Sequence, residues 1–165
     1  MLLNPAIPLG AIDGDLLLRL GAAALIGLAL GLDREIRGHE AGMRTHGLVC
    51  FAAATMTVSV IALYFQLGVP NPGSRMDPLR IFEAAGSFVG IIGAGLIVFS
   101  KGRLHNLTTA ANLWLAAVVG IACGAGQWPL VLLASVIGLV MISVLRVMED
   151  KVELKRARRD LTDDR

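Results

Sequence analysis

Asp33, Arg34, Glu35 and Arg37 stand in one short charged run, and Arg44 and Thr45 follow it directly before a long apolar stretch. Further on, Lys101, Arg103 and His105 lead into Thr108, Thr109 and, one turn later, Asn112. Carboxylate, hydroxyl and amide oxygens of this kind suit a hard cation such as Mg²⁺. One or two carboxylates without a cage would support only a weak, hydrated site, for which Asp33 is the best candidate ligand. Two readings of the first run compete. In one, Asp33 pairs with Arg37 at i,i+4 and the arginines anchor a helix end. In the other, Asp33 points into a helical bundle, because a carboxylate at the edge of hydrocarbon is costly unless it faces a partner or a water-filled cavity.

The elements that must carry these residues are membrane-spanning helices. The chain is 55% hydrophobic and 17% charged with 19 glycines, and its mean hydropathy is +0.69. Apolar runs cover Leu16 to Leu32, Thr45 to Leu67, Ile81 to Ser100, Leu107 to Ala125 and Trp128 to Val147. Each approaches the roughly 20 residues that a helix needs to cross about 30 Å of hydrocarbon. Inside lipid the backbone must satisfy its own hydrogen bonds, and no ten-residue barrel alternation is present, so the fold class is all-α: a polytopic bundle of about five spans. The turn from Gly124 to Pro129 is the least secure boundary, and four spans plus a re-entrant piece is the alternative. Residues 1–148 are read as one transmembrane domain and 149–165 as a short charged tail, helical, with Val147, Leu154 and Leu161 at heptad spacing. The first fourteen residues carry no basic segment, so no cleaved signal peptide is expected.

Basic residues set the orientation. They crowd the first loop (Arg34, Arg37, Arg44), the third (Lys101, Arg103) and the tail, whereas the second loop holds only Arg75 and Arg80. The positive-inside rule then puts the amino terminus outside and the carboxy terminus in the cytoplasm. The net charge of +2 is accordingly a topology signal, and nucleic acid is not an expected partner.

Small residues recur at four-residue spacing in Gly27 and Gly31, Gly86 and Gly90, and Gly120 and Gly124, and the run Gly90 to Gly95, which includes Gly93, is denser still. These are expected to be helix-packing faces, with Gly90 to Gly95 also a thin place where backbone lines a cavity. Aligning Ile26-Gly27 with Ile92-Gly93, and Met43-Arg44-Thr45 with Leu107-Thr108-Thr109, suggests that the first two helices and the next two are a divergent parallel duplication, with chance similarity the competing explanation. One of Thr108 and Thr109 is expected to cap the fourth helix, and Asn112 to seek a partner on a neighbouring helix. Cys50 and Cys123 are expected about 15 Å apart in depth and unpaired. Arg19 is expected to snorkel at the outer end, Glu83 to pair with Arg80, and His39, His46 and His105 to be loop residues rather than zinc ligands. No nucleophile–base pair, phosphate loop or metal motif stands at usable spacing, so no enzymatic activity is expected.

Four segments, GLALGLDREIRG, AGMRTHGLV, GIIGAGLI and LTTAANLWLAAVVGIACGAG, occur in that order, and over Leu16 to Val147 the chain resembles the membrane domain of the MgtC/SapB family of bacterial inner-membrane proteins. The resemblance places the family's acidic position on Asp33 (commonly Glu), its basic one on Arg34, its arginine–threonine pair on Arg44 and Thr45, and its polar helix start on Thr108, Thr109 and Asn112. It implies five spans with the amino terminus outside, residence in the inner membrane, and a role in growth at low Mg²⁺ and in survival inside macrophages. It also implies regulation of membrane processes, including inhibition of the F-type ATP synthase, rather than proven magnesium carriage. Many members carry a cytoplasmic ACT-like domain, which is expected to be missing here.

Two functions follow. The first is a non-enzymatic regulator that docks small-residue helix faces onto another membrane protein, with the bilayer as its other partner and no cofactor. The second is a small transporter or channel for Mg²⁺ or another solute, with Asp33, Arg44, Thr45, Thr108 and Asn112 lining a cavity between the two hairpins. In either case exposed small-residue faces lead us to expect a homo-oligomer.

Overall fold

The structure, a computed structural model, describes residues 13–38, 41–71, 73, 75–100 and 103–144. Five helices make up the bundle: α1 (Gly14–Ile36), α2 (Met43–Leu63), α3 (Arg80–Leu96), α4 (Leu107–Gly124) and α5 (Trp128–Val144). A π-helical turn, Tyr64–Gly68, prolongs α2. The all-α architecture agrees with the sequence reading. The heptad positions Val147, Leu154 and Leu161, and His39, lie outside the described residues.

Local chemistry sets several boundaries. Asp13 caps α1, its Oδ1 accepting from the Leu16 N–H at 2.8 Å, as a short acidic side chain does at a helix start. Pro129 falls in the first turn of α5, where its missing N–H costs nothing. One boundary departs from expectation: α3 ends at Leu96, not Ser100. Ile97 is extended (φ −74°, ψ 114°), and a short strand β1 (Val98–Ser100) pairs antiparallel with β2 (Arg103–His105), Val98 opposite His105. The run Ile97-Val98-Phe99 is β-branched and aromatic, which favours extended backbone, and only two residues separate the strands, the commonest hairpin spacing.

Three helices are long and apolar enough to cross a membrane: α1, α2 with its π turn, and α4. The apolar α5 has 17 residues, about 26 Å at 1.5 Å per residue. α3 has the same length and begins with Arg80 and Glu83, whose side chains form an exposed ion pair at 3.8 Å.

α4 is the hub. Ten of its residues are buried, and it touches α1, α2 and α3 while Gly138 of α5 closes on its Leu115. One core cluster joins Ala23 and Leu30 of α1, Cys50 and Ala54 of α2, Val119 and Cys123 of α4, and Val131 and Ile142 of α5. A second joins Ala53 to Leu113, Ala117 and Ile121 and to Ala85 and Val89 of α3. α3 buries Ile81, Ala85, Val89 and Gly93, one residue per turn, while Phe82, Phe88 and Ile91 are exposed. Large outward side chains such as Leu17, Leu25, Ile91 and Leu132 would carry a severe cost in water and none in lipid.

Candidate functional site

The polar residues gather where α1 finishes and α2 and α4 begin. Asp33 pairs with Arg37 at 3.7 Å, the local arrangement that the i,i+4 spacing allows. Its side chain borders a groove of about 190 Å³ with Ile36, Leu139 and Ser143, so it lies against α5 and not between the two hairpins. Arg34, one position on and about 100° around the helix, reaches α4. With the Asn112 amide oriented by its hydrogen-bond network, Arg34 Nε and Nη2 both donate to Asn112 Oδ1 at 3.2 Å. This is the helix-to-helix partner that an amide one turn into a span requires.

Glu35 closes the hairpin. The α2 N-cap is Gly42, which has no side chain to cap with, and Glu35 Oε2 accepts from the Met43 N–H at 3.0 Å instead. A Cβ at Gly42 would fall onto that carboxylate, so the contact needs glycine there. An acid at a helix N-terminus also meets the positive end of the helix dipole.

His46 is not a loop residue. It lies inside α2, 0% exposed, because the helix begins at Met43 and places it on the face that meets Gly27 of α1. Its Nδ1 is 2.9 Å from Gly42 O. A carbonyl only accepts, so Nδ1 carries a proton; Nε2 is buried without a hydrogen-bond partner. Arg44 is exposed and Thr45 half-buried.

At α4 the expected threonine cap is absent. The N-cap is Asn106, in the left-handed region (φ 64°, ψ 16°), with no side-chain bond to the helix. Its Nδ2 donates to Leu96 O at 3.1 Å, tying off α3. Thr108 is exposed, whereas Thr109 is 1% exposed with its Oγ1 unpartnered. Of the residues expected to share a cavity, the structure joins Arg34 to Asn112, sets Asp33 on the groove beside α5 and leaves Arg44 and Thr108 exposed.

The glycines divide into two groups. A Cβ on Gly27 would meet Cys50 Cβ at 2.7 Å and His46 O at 2.8 Å, and on Gly31 it would meet Met43 Cα at 2.6 Å. On Gly120 it would strike the Cys50 carbonyl, and on Gly124 it would lie 2.5 Å from Ala54 O. These four make α1, α2 and α4 a frame in which backbone touches backbone. Gly86 and Gly93 face Trp114 and Ala110 of α4 at 3.3 Å, while Gly90 and Gly95 have nothing within 4 Å. Gly86, Gly90 and Gly93 line an open groove of about 320 Å³ beside Trp114.

Gly27 meets His46 and Gly47, and Gly93 meets Ala110; under the duplication alignment His46 and Ala110 are equivalent, so both hairpins pack in the same register. The hairpins are nonetheless displaced along the bundle. The alignment would set Cys50 opposite Trp114, yet Cys50 packs on Gly120, six residues on and about 9 Å further along the helix. That displacement corrects the expected depth separation of the cysteines: Cys50 and Cys123 share one buried cluster. Both remain free thiols.

Arg19 also departs from expectation. It does not snorkel but is 0% exposed, its Nε donating to Asp15 Oδ2 at 2.7 Å and its Nη1 to Gly124 O at 2.8 Å. The C-terminal carbonyls of α4 present the negative end of a helix dipole to the guanidinium. Gly126, at φ +70°, makes room, since a Cβ there would lie 2.8 Å from Arg19 Cζ. The i,i+4 partner Asp15 was readable in the sequence, but the carbonyl 105 residues away was not.

Several apolar crossing helices around a buried, glycine-packed hub define a polytopic helical membrane protein. The family model for the MgtC family matches residues 20–151, and the chain belongs to that family. It is 34% identical over 149 residues to "Putative magnesium transporter YhiD" of Escherichia coli K12, covering 90% of this chain and 68% of that one. It is 38% identical over 117 residues to "Protein SapB" of Bacillus subtilis, covering 70% and 50%. With "Protein MgtC" of Brucella abortus it shares 34% over 140 residues, covering 85% and 55%. No solved structure matches the chain.

Proposed function

We propose that this protein is a non-enzymatic regulator of the bacterial inner membrane, acting in adaptation to low Mg²⁺ or in intracellular survival by docking onto another membrane protein, of which an F-type ATP synthase is one candidate. Five crossings, with the amino terminus outside and the carboxy terminus in the cytoplasm, complete the reading, together with homo-oligomerisation and no nucleic-acid partner. The observation that carries it is the backbone-on-backbone contact of α1, α2 and α4 at Gly27, Gly31, Gly120 and Gly124. These contacts leave no room for a side chain between the three helices. A groove of about 300 Å³ opens sideways between α2 and α3, lined by Val49, Ala53, Met56, Ala85, Phe88 and Val89.

A photo-crosslinking residue at Met56 or Phe88, in cells, tests this. A discrete adduct with another membrane protein, absent when the probe sits at Leu25, is the expected result. The same adducts from all three positions would count against it. The alternative, a small Mg²⁺ transporter, is favoured by two buried polar atoms without partners, His46 Nε2 and Thr109 Oγ1, and by the name of the relative YhiD.

A further inference from the structure

We infer that the groove between the last turns of α1 and α5 seats the headgroup of a phosphatidylethanolamine lipid, an inference that goes beyond the regulatory reading and stands independently of it. The groove has a volume of about 190 Å³, and its apolar walls include Leu32 and Ile36 of α1 and Leu139 and Ile142 of α5. Ile142 is buried, whereas Leu32, Ile36 and Leu139 keep exposed apolar surface beside it. In a membrane protein such surface meets acyl chains.

Among the described residues that line the groove, Asp33 and Ser143 are the polar ones. Both present acceptors. An ionised carboxylate only accepts, and the Ser143 hydroxyl donates its proton to Leu139 O at 2.8 Å, which leaves its lone pairs. A polar group entering beside them must bring donors, and a cationic donor gains the carboxylate's charge as well. A primary ammonium supplies three N–H donors and one positive charge.

Charge complementarity fixes the rest of the headgroup. Arg37 pairs with Asp33 at 3.7 Å from one turn further along α1, and a guanidinium, with five donors, binds phosphate as readily as carboxylate. A simple cation here would meet the repulsion of Arg37, and a simple anionic headgroup that of Asp33. A zwitterion in which two carbons join an ammonium to a phosphate sets an opposite charge against each. Of the other charges in that turn, Arg34 donates to Asn112 of α4 and Glu35 accepts from the Met43 N–H of α2.

The test uses the full chain, delipidated in neutral detergent, with apparent lipid affinity read from the saturable rise in melting temperature. Phosphatidylethanolamine is compared with phosphatidylcholine of the same acyl chains, which keeps both charges but has no N–H, and with phosphatidylglycerol, which has no ammonium. Phosphatidylethanolamine should bind about tenfold or more tightly than either, as expected for hydrogen bonds to a charged group. Asp33→Asn and, in a second variant that leaves the ion pair in place, Ser143→Ala should each reduce its advantage over phosphatidylcholine, while Glu83→Gln on α3 should not. Arg37→Gln should weaken both zwitterionic lipids alike. Equal affinity for phosphatidylethanolamine and phosphatidylcholine, or tighter binding of phosphatidylglycerol, overturns the inference, as does a preference for phosphatidylethanolamine that survives unchanged in both Asp33→Asn and Ser143→Ala.

Discussion

Gly120→Ala is the most informative perturbation of the frame. The added Cβ would strike the Cys50 carbonyl and lie 3.0 Å from Ala53 Cβ, so α4 must back away from α2 along the whole contact that includes Gly124. An atom 2.5 Å from Ala54 O at Gly124 shows how little slack that contact has. Ordinary contact begins near 3.4 Å, so relief requires a shift approaching ~1 Å, which forfeits about a quarter to a half of each dispersion contact. With ~0.1–0.2 kcal/mol per atom pair over a few tens of pairs, the loss is about 1–3 kcal/mol, the range found for overpacked cores. Gly90→Ala is the matched control. Nothing lies within 4 Å of it, and alanine gains up to ~1 kcal/mol of helix propensity over glycine. Unfolding of the purified protein by denaturing detergent should show Gly120→Ala destabilised and Gly90→Ala unchanged or stabilised. Equal tolerance of both would refute the backbone contact between α2 and α4.

Other consequences follow from particular contacts. Arg19→Ala should destabilise by about 3 kcal/mol, because it strands the buried Gly124 carbonyl contact and takes its partner from the half-buried Asp15 carboxylate; Arg19→Leu combined with Asp15→Leu should recover part of that loss in the same unfolding assay. Gly126→Ala should also destabilise, since its positive φ costs about 1–2 kcal/mol for an L side chain and the Cβ presses on the guanidinium. Glu35→Ala removes the side-chain acceptor of the Met43 N–H at the α2 N-terminus and should cost about 1 kcal/mol, with Glu35→Gln milder. Cys50 and Cys123 are buried free thiols and should resist a membrane-permeant maleimide until the protein is unfolded, as read by mass shift.

The features legible in the sequence were local or statistical. Apolar runs gave five helices to within a few residues, and i,i+4 spacing anticipated Asp33 with Arg37 just as i,i+3 anticipated Arg80 with Glu83. What stayed hidden depends on register between distant elements. Arg19 read as a snorkelling residue because its second acceptor is a main-chain carbonyl, which leaves no side-chain signature. Level helix starts predict Cys50 and Cys123 far apart in depth, whereas glycine-to-carbonyl contact displaces α4 by six residues. Gly86 and Gly90 share one spacing, yet only Gly86 faces a neighbour; small-residue periodicity marks a face without saying whether another helix covers it. At the candidate site, Asn112 was marked by its depth, but Arg34 emerged as its partner only once α1 and α4 were set side by side.

Uptake of Mg²⁺ into proteoliposomes holding the folded protein bears most directly on whether the closed α1–α2–α4 centre excludes transport, with Asp33→Asn as the companion variant. Uptake no greater than that of empty liposomes is the expected result. Saturable uptake that disappears in Asp33→Asn would contradict it and make the protein a transporter with Asp33 in its path.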